Sequence, residues 1–119
     1  MRRLLACLVV LCAVAGLALA DDKAAAFTFT TIDPPGSVFT FPFGINDQGD
    51  VIGNYTTSDG VDHGFLLQQG AFTTIDPPGS IFTFATGINP EWKSKKIIIV
   101  GIYDDTSGFV HGFVANVAE

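Results

Sequence analysis

Two histidines, His63 and His111, are the only imidazoles in the chain, and each opens the same tripeptide, His-Gly-Phe. An imidazole ligates metals and exchanges protons near neutral pH, so chemistry would concentrate at these positions. Carboxylates to work with them are at hand in Asp33 and Asp76, each directly before Pro-Pro-Gly, and Asn46-Asp47-Gln48-Gly49-Asp50 places oxygen ligands at alternate positions. Trp92, Tyr55 and Tyr103 complete the set of candidates. Presented together on a surface, their rings would form a platform for a sugar or a partner.

Each chemistry makes a demand that the spacing can be tested against. A defined zinc site needs three or four ligands, and two histidines without nearby cysteines do not supply them. A helix-loop-helix calcium site needs a glutamate at the twelfth loop position; counted from Asn46, that position is Thr57, which points to a hairpin turn instead. Asp before proline is accounted for by turn initiation. The chain contains no Gly-x-Ser-x-Gly elbow, phosphate-cradling glycine loop or dinucleotide fingerprint. Asn54-Tyr55-Thr56 is formally a glycosylation acceptor, but it falls inside an expected strand. The reading is therefore of a protein with no catalytic residues, no cofactor and no metal, whose candidate ligand contacts are Trp92, Tyr55 and Tyr103.

The candidates recur because the chain repeats. Residues 29–46 return at 72–89 with 15 of 18 positions identical, a shift of 43. Further on, Val51-Ile52-Gly53-Asn54-Tyr55 answers to Ile99-Val100-Gly101-Ile102-Tyr103, and His63 to His111, with a shift of 48, so five residues are inserted between. Residues at matching positions of a repeat do matching structural jobs, so half-buried, hydrogen-bonded histidines are expected. The insertion, Pro90-Glu91-Trp92-Lys93-Ser94-Lys95-Lys96, holds the only tryptophan and three of the four lysines that follow residue 20; lysines beside the apolar run Ile97–Val100 act as gatekeepers against aggregation.

The elements that carry these residues read as short strands. Phe27 to Ile32 alternates Phe with Thr, suited to a half-buried pleated surface, and Asp33-Pro34-Pro35-Gly36 ends it because proline cannot donate to a ladder. Phe39, Phe41 and Phe43 follow at period two. Asn46-Asp47-Gln48-Gly49 predicts a tight hairpin with Gly49 at positive φ. Strands Asp50–Tyr55 and His63–Leu67 come next, then the second copy with Ile98–Tyr103 and His111–Val114. The expected fold is all-β: two antiparallel four-stranded meanders resembling β-propeller blades, with a small eight-stranded sandwich or flattened barrel as the alternative. A period of about 40 residues made of short strands suits repeated sheet modules.

Phe-Thr-Thr-Ile-Asp-Pro-Pro-Gly, Gly-Ile-Asn-Asp-x-Gly-x-Val-Ile-Gly-x-Tyr and His-Gly-Phe, in that cyclic order, resemble the bacterial extracellular HAF repeats over nearly all of Phe27 to Val114. The eponymous His-Ala-Phe stands here as His-Gly-Phe, and the second copy lacks the Asn-Asp-x-Gly turn. The resemblance implies a secreted repeat protein with blade-like sheets and no established activity.

The N-terminus agrees with export. Arg2 and Arg3 precede an apolar run from Leu4 to Leu17, and Ala18-Leu19-Ala20 is a small-x-small cleavage site. Residues 1–20 are read as a signal peptide and 21–119 as one β-repeat domain, with repeat 1 at about 29–71 and repeat 2 at about 72–117. Both cysteines, Cys7 and Cys12, would leave with the leader. Loss of Arg2 and Arg3 takes the formal charge from −6 to −8, which disfavours nucleic acid and anionic membrane as partners.

The expected role is a secreted or periplasmic structural or interaction module, with a carbohydrate- or cell-surface-binding module as the alternative and a secreted hydrolase third. Its partners would be a protein, a surface glycan or further copies of the chain. The phase of the repeat suggests the last of these: Phe27 to Ile32 is a closing strand without its sheet, and the second repeat ends one strand short. The expectation is that Phe27–Ile32 pairs beside Gly108–Val117, within one chain or between chains.

Overall fold

A computed structural model describes residues 24–90 and 96–118. Its elements are all strands: β1 (Ser37–Ile45), β2 (Val51–Thr57), β3 (Asp62–Gln68), β4 (Ala71–Ile75), β5 (Ser80–Ile88), β6 (Ile98–Asp105) and β7 (Val110–Asn116). They form two antiparallel meanders, a four-stranded sheet in the order β1-β2-β3-β4 and a three-stranded sheet in the order β5-β6-β7. The all-β expectation holds; the sheets do not close into a barrel, and the second has three strands where four were expected.

The turns follow from their residues. Asn46 Oδ1 accepts from the backbone N–H of Gln48 at 3.0 Å and of Asp50 at 2.9 Å, and Gly49 takes φ 85°, so the hairpin closes as expected. Gln69 and Gly70 both have positive φ, the two-residue geometry whose twist matches that of the flanking strands β3 and β4. The two Pro-Pro-Gly segments fold alike: Ser37 N–H donates to Pro34 O and Ser80 N–H to Pro77 O, both at 3.0 Å. The second of these turns carries the chain out of β4 and into the next sheet.

Both sheets carry a pair of bulges at equivalent places, Ser37/Phe39 and Pro42/Gly44 in β1, and Ser80/Phe82 and Ala85/Gly87 in β5. The second bulge breaks the period-two alignment expected of Phe39, Phe41 and Phe43: Phe39 and Phe41 stack with ring centroids 6.5 Å apart, while Phe43 is the extra residue. The bulge presses backbone against Gly53 and Gly101, where an added Cβ would lie 2.1 Å from Phe41 O and 2.2 Å from Phe84 O. That contact explains the glycine of the repeated Gly-x-Tyr pattern, Gly53 to Tyr55 and Gly101 to Tyr103.

The core lies between the two sheets. Ile52 and Leu66 from the first sheet meet Ala85, Ile97 and Ile99, with Ile75, Ile88, Phe113, Ala115 and Val117 packed around them. Alternation along the strands then fixes what faces outward from the second sheet: Val100, Ile102, Val110 and Val114 share the other face and are all exposed.

Phe27–Ile32 is not a strand. Residues 24–34 have no regular structure, and Phe29 is 89% exposed. Its near-twin Phe72–Ile75 forms β4 because β3 offers it an edge; Phe27–Ile32 has no such partner strand among the described residues, and a lone strand has nothing to satisfy its ladder groups. Among the described strands, β7 pairs with β6 alone.

Candidate functional site

The two histidines sit at the start of equivalent strands, β3 and β7, each opposite a tyrosine: His63 pairs with Tyr55 and His111 with Tyr103. The rings stack correspondingly, with centroids 5.2 Å apart for Tyr55 and His63 and 5.0 Å for Tyr103 and His111. The phenylalanine two residues on joins each cluster, 6.4 Å from the tyrosine in both. The repeat thus builds one ring cluster twice, but its polar partners differ.

In the first repeat His63 Nδ1 lies 2.8 Å from Asp76 Oδ2, and its Nε2 lies 3.3 Å from Thr57 Oγ1. The order Asp76–His63–Thr57 is that of a hydrolytic triad. The proton of the Thr57 hydroxyl, however, is directed to the Asp59 carboxylate, with the Val61 carbonyl at 3.3 Å. Directed there, that proton is not presented to His63 Nε2, as a general base would require. The same bond, followed by the Val61 N–H, holds the Asp59 carboxyl below its ordinary value of 3.8.

In the second repeat the position of Thr57 is filled by Asp105, whose Oδ2 lies 2.8 Å from His111 Nε2. Its other oxygen accepts from Ser107 N–H at 2.8 Å and Phe109 N–H at 3.1 Å. The bond from His111 leads the causes that lower the Asp105 pKa, with the Phe109 N–H second. His111 Nδ1 has no hydrogen-bond partner among the described residues.

The proline-flanked aspartates do not converge on one centre. Asp76 holds His63, whereas Asp33 accepts from Thr40 Oγ1 at 3.1 Å. Thr83, at the position equivalent to Thr40, is fully buried with its hydroxyl unpartnered. The aspartate therefore serves either the histidine or the threonine: where it reaches the histidine, the threonine goes without. Asn46, Asp50 and their neighbours are likewise spent on the turn, with Asn46 Nδ2 donating to Asp50 Oδ2 at 3.0 Å. Among the described residues no group of three His, Cys, Asp or Glu side chains is placed to hold a metal.

The candidate ligand contacts are separated by their surroundings. Tyr55 is only 7% exposed, and its hydroxyl is 2.8 Å from Thr74 Oγ1; its ring packs within the sheet. Tyr103 is half-buried and its hydroxyl has no partner among the described residues. Trp92 lies outside the described residues. In the second copy Asn89 takes over the turn-holding task across the insertion, its Oδ1 accepting from Ile98 N–H at 2.9 Å and its Nδ2 donating to Lys96 O at 2.8 Å. Thr57, Thr74 and Asp105 are absent from the sequence-based candidates. Aligning the histidines with the shift of 48 would have pointed to the equivalent pair Thr57 and Asp105, because residues six before each histidine lie across the same hairpin.

No family model, curated protein or solved structure matches the chain.

Proposed function

We propose that the protein is an exported, non-catalytic structural or interaction module of the HAF-repeat kind, its sheets serving as propeller-like blades. The observation that carries this reading is the apolar outer face of the second sheet, where Val100, Ile102, Val110 and Val114 stand exposed side by side. Contiguous apolar side chains on a folded surface mark a place where another surface binds. The histidines support the same reading, since each ties a hairpin to a neighbouring acid or hydroxyl.

Two measurements test it. The N-terminus of protein recovered outside the cytoplasm should be Asp21. The purified protein should not turn over chromogenic ester, phosphate or glycoside substrates at a rate sensitive to His63→Gln or Thr57→Ala; a rate abolished by either substitution would overturn the reading in favour of a secreted hydrolase. Carbohydrate binding is the second reading, motivated by the half-buried ring and unpartnered hydroxyl of Tyr103. Binding on a glycan array that Tyr103→Ala or Trp92→Ala removes would establish it.

A further inference from the structure

We infer that the free edge of β7 is completed by residues 29–33 of a second copy of the chain, and that copies join head to tail through this strand. The inference deepens the reading of the protein as an interaction module by naming its partner, and it is tested separately from turnover, glycan binding and export.

The occupant is specified by the molecule's own first sheet. There β3 takes β4 as its neighbour, with Gly64 opposite Ile75, Phe65 opposite Thr74, Leu66 opposite Thr73 and Leu67 opposite Phe72. β7 is the counterpart of β3, and Phe29-Thr30-Thr31-Ile32-Asp33 is identical to Phe72-Thr73-Thr74-Ile75-Asp76. The same register places Ile32 opposite Gly112, Thr31 opposite Phe113, Thr30 opposite Val114 and Phe29 opposite Ala115. A groove lined by Ile75, Asp76, Pro77, Pro78 and residues 113–115 of β7 borders this edge, apolar apart from Asp76.

Each side-chain group that β4 and the following Asp76 satisfy in the first sheet is open in the second. Thr74 bonds the Tyr55 hydroxyl, and the Tyr103 hydroxyl is unpartnered; Thr31 would meet it. Phe72 packs edge-on against Phe65 with centroids 5.9 Å apart; Phe29, now exposed, would do the same for Phe113. Asp76 holds His63 Nδ1; Asp33 would leave Thr40 for the open Nδ1 of His111, as Asp76 has left Thr83.

The sheet faces argue for a second copy over the same chain. The β4–β5 turn leads from the first sheet to the second, which packs on Ile52 and Leu66. Since the Pro34–Ser37 turn has the same hydrogen bond, a sheet completed by Phe29–Ile32 would lie on the other face of the first sheet, which the second sheet does not cover. The outward Val100 and Val114 are the counterparts of Ile52 and Leu66, which are buried. A head-to-tail contact buries them in the same way, against Pro42, Val51 and Leu67 of the next copy. Heterologous contacts of this kind close into rings or run on as filaments; propellers of about four to eight blades correspond to roughly two to four copies.

Sedimentation velocity at ~50 μM, on the protein with whatever N-terminus processing leaves ahead of residue 24, should show assemblies of two or more copies. Because residues 29–32 form no strand in the single chain, proline there spares its fold while removing ladder donors. Thr30→Pro combined with Thr31→Pro should weaken assembly by about a hundredfold and leave the far-ultraviolet circular dichroism of the dilute monomer unchanged. Thr30→Cys combined with Val114→Cys should give disulfide-linked multimers on a non-reducing gel. A monomer at that concentration, an assembly indifferent to the two prolines, or a disulfide confined to single chains would each overturn the inference.

Discussion

Thr83 shows what one unpartnered atom reveals about the rest of the structure. Its hydroxyl is buried without a hydrogen bond because Asp76, which its counterpart Thr40 would lead one to expect as acceptor, is turned to His63. An unsatisfied buried hydroxyl costs about 1–3 kcal/mol, so Thr83→Val should stabilise the protein by about 1 kcal/mol, read from the denaturant midpoint. A fall in stability would mean that the hydroxyl is satisfied after all. The carboxylate of Asp105 makes a second case. Its folded-state pKa lies below its unfolded value, chiefly because of His111, so its contribution to stability is complete above the ordinary carboxylate range and is lost as pH falls through the depressed value. Asp105→Asn should therefore flatten the acid limb of a stability-versus-pH curve while leaving its shape near neutrality unchanged; equal acid limbs would refute the assignment. The sequence marked both histidines as structural, but not their partners. Those depend on which strand lies alongside, as with Asp76, which reaches His63 because β4 pairs with β3.

At the scale of the element, the repeated bulges govern the most tightly constrained positions. A methyl group at Gly53 or Gly101 would run into the carbonyl of the bulged strand, and at Gly101 also into the Phe113 ring, whose nearest atoms would be 2.7 Å away. Such overpacking typically costs about 1–3 kcal/mol. Gly101→Ala is expected to destabilise by that amount, while the same change at Gly112, where the nearest atom is 3.9 Å away, should cost less. Thermal or chemical unfolding of the two variants compares them directly, and equal losses would show that the bulge is not the constraint. Most strands were legible because alternation and turn residues mark them independently. The exception, Phe27–Ile32, has the same marks as β4; what it lacks is an edge, which is a property of its neighbours. The bulge that displaces Phe43 was equally hidden, since an extra residue leaves the local pattern of Phe and Thr intact.

For the whole molecule, the unequal sheets set the expectation. If copies assemble through β7, binding stabilises the folded state by mass action, so Tm should rise with protein concentration in the natural chain and stay constant in the variant carrying Thr30→Pro and Thr31→Pro. A concentration-independent Tm in both would contradict assembly. The amino-acid sequence by itself determined the duplication, the all-β class, the turns and the equivalence of His63 with His111, because each of these is written in local residue patterns repeated at fixed spacing. Tertiary structure alone decided which carboxylate each histidine meets, which apolar face is covered, and that two nearly identical segments take different states. The physical reason is that a strand is completed by the edge beside it: Phe72–Ile75 has β3, and Phe29–Ile32 joins no ladder among the described residues.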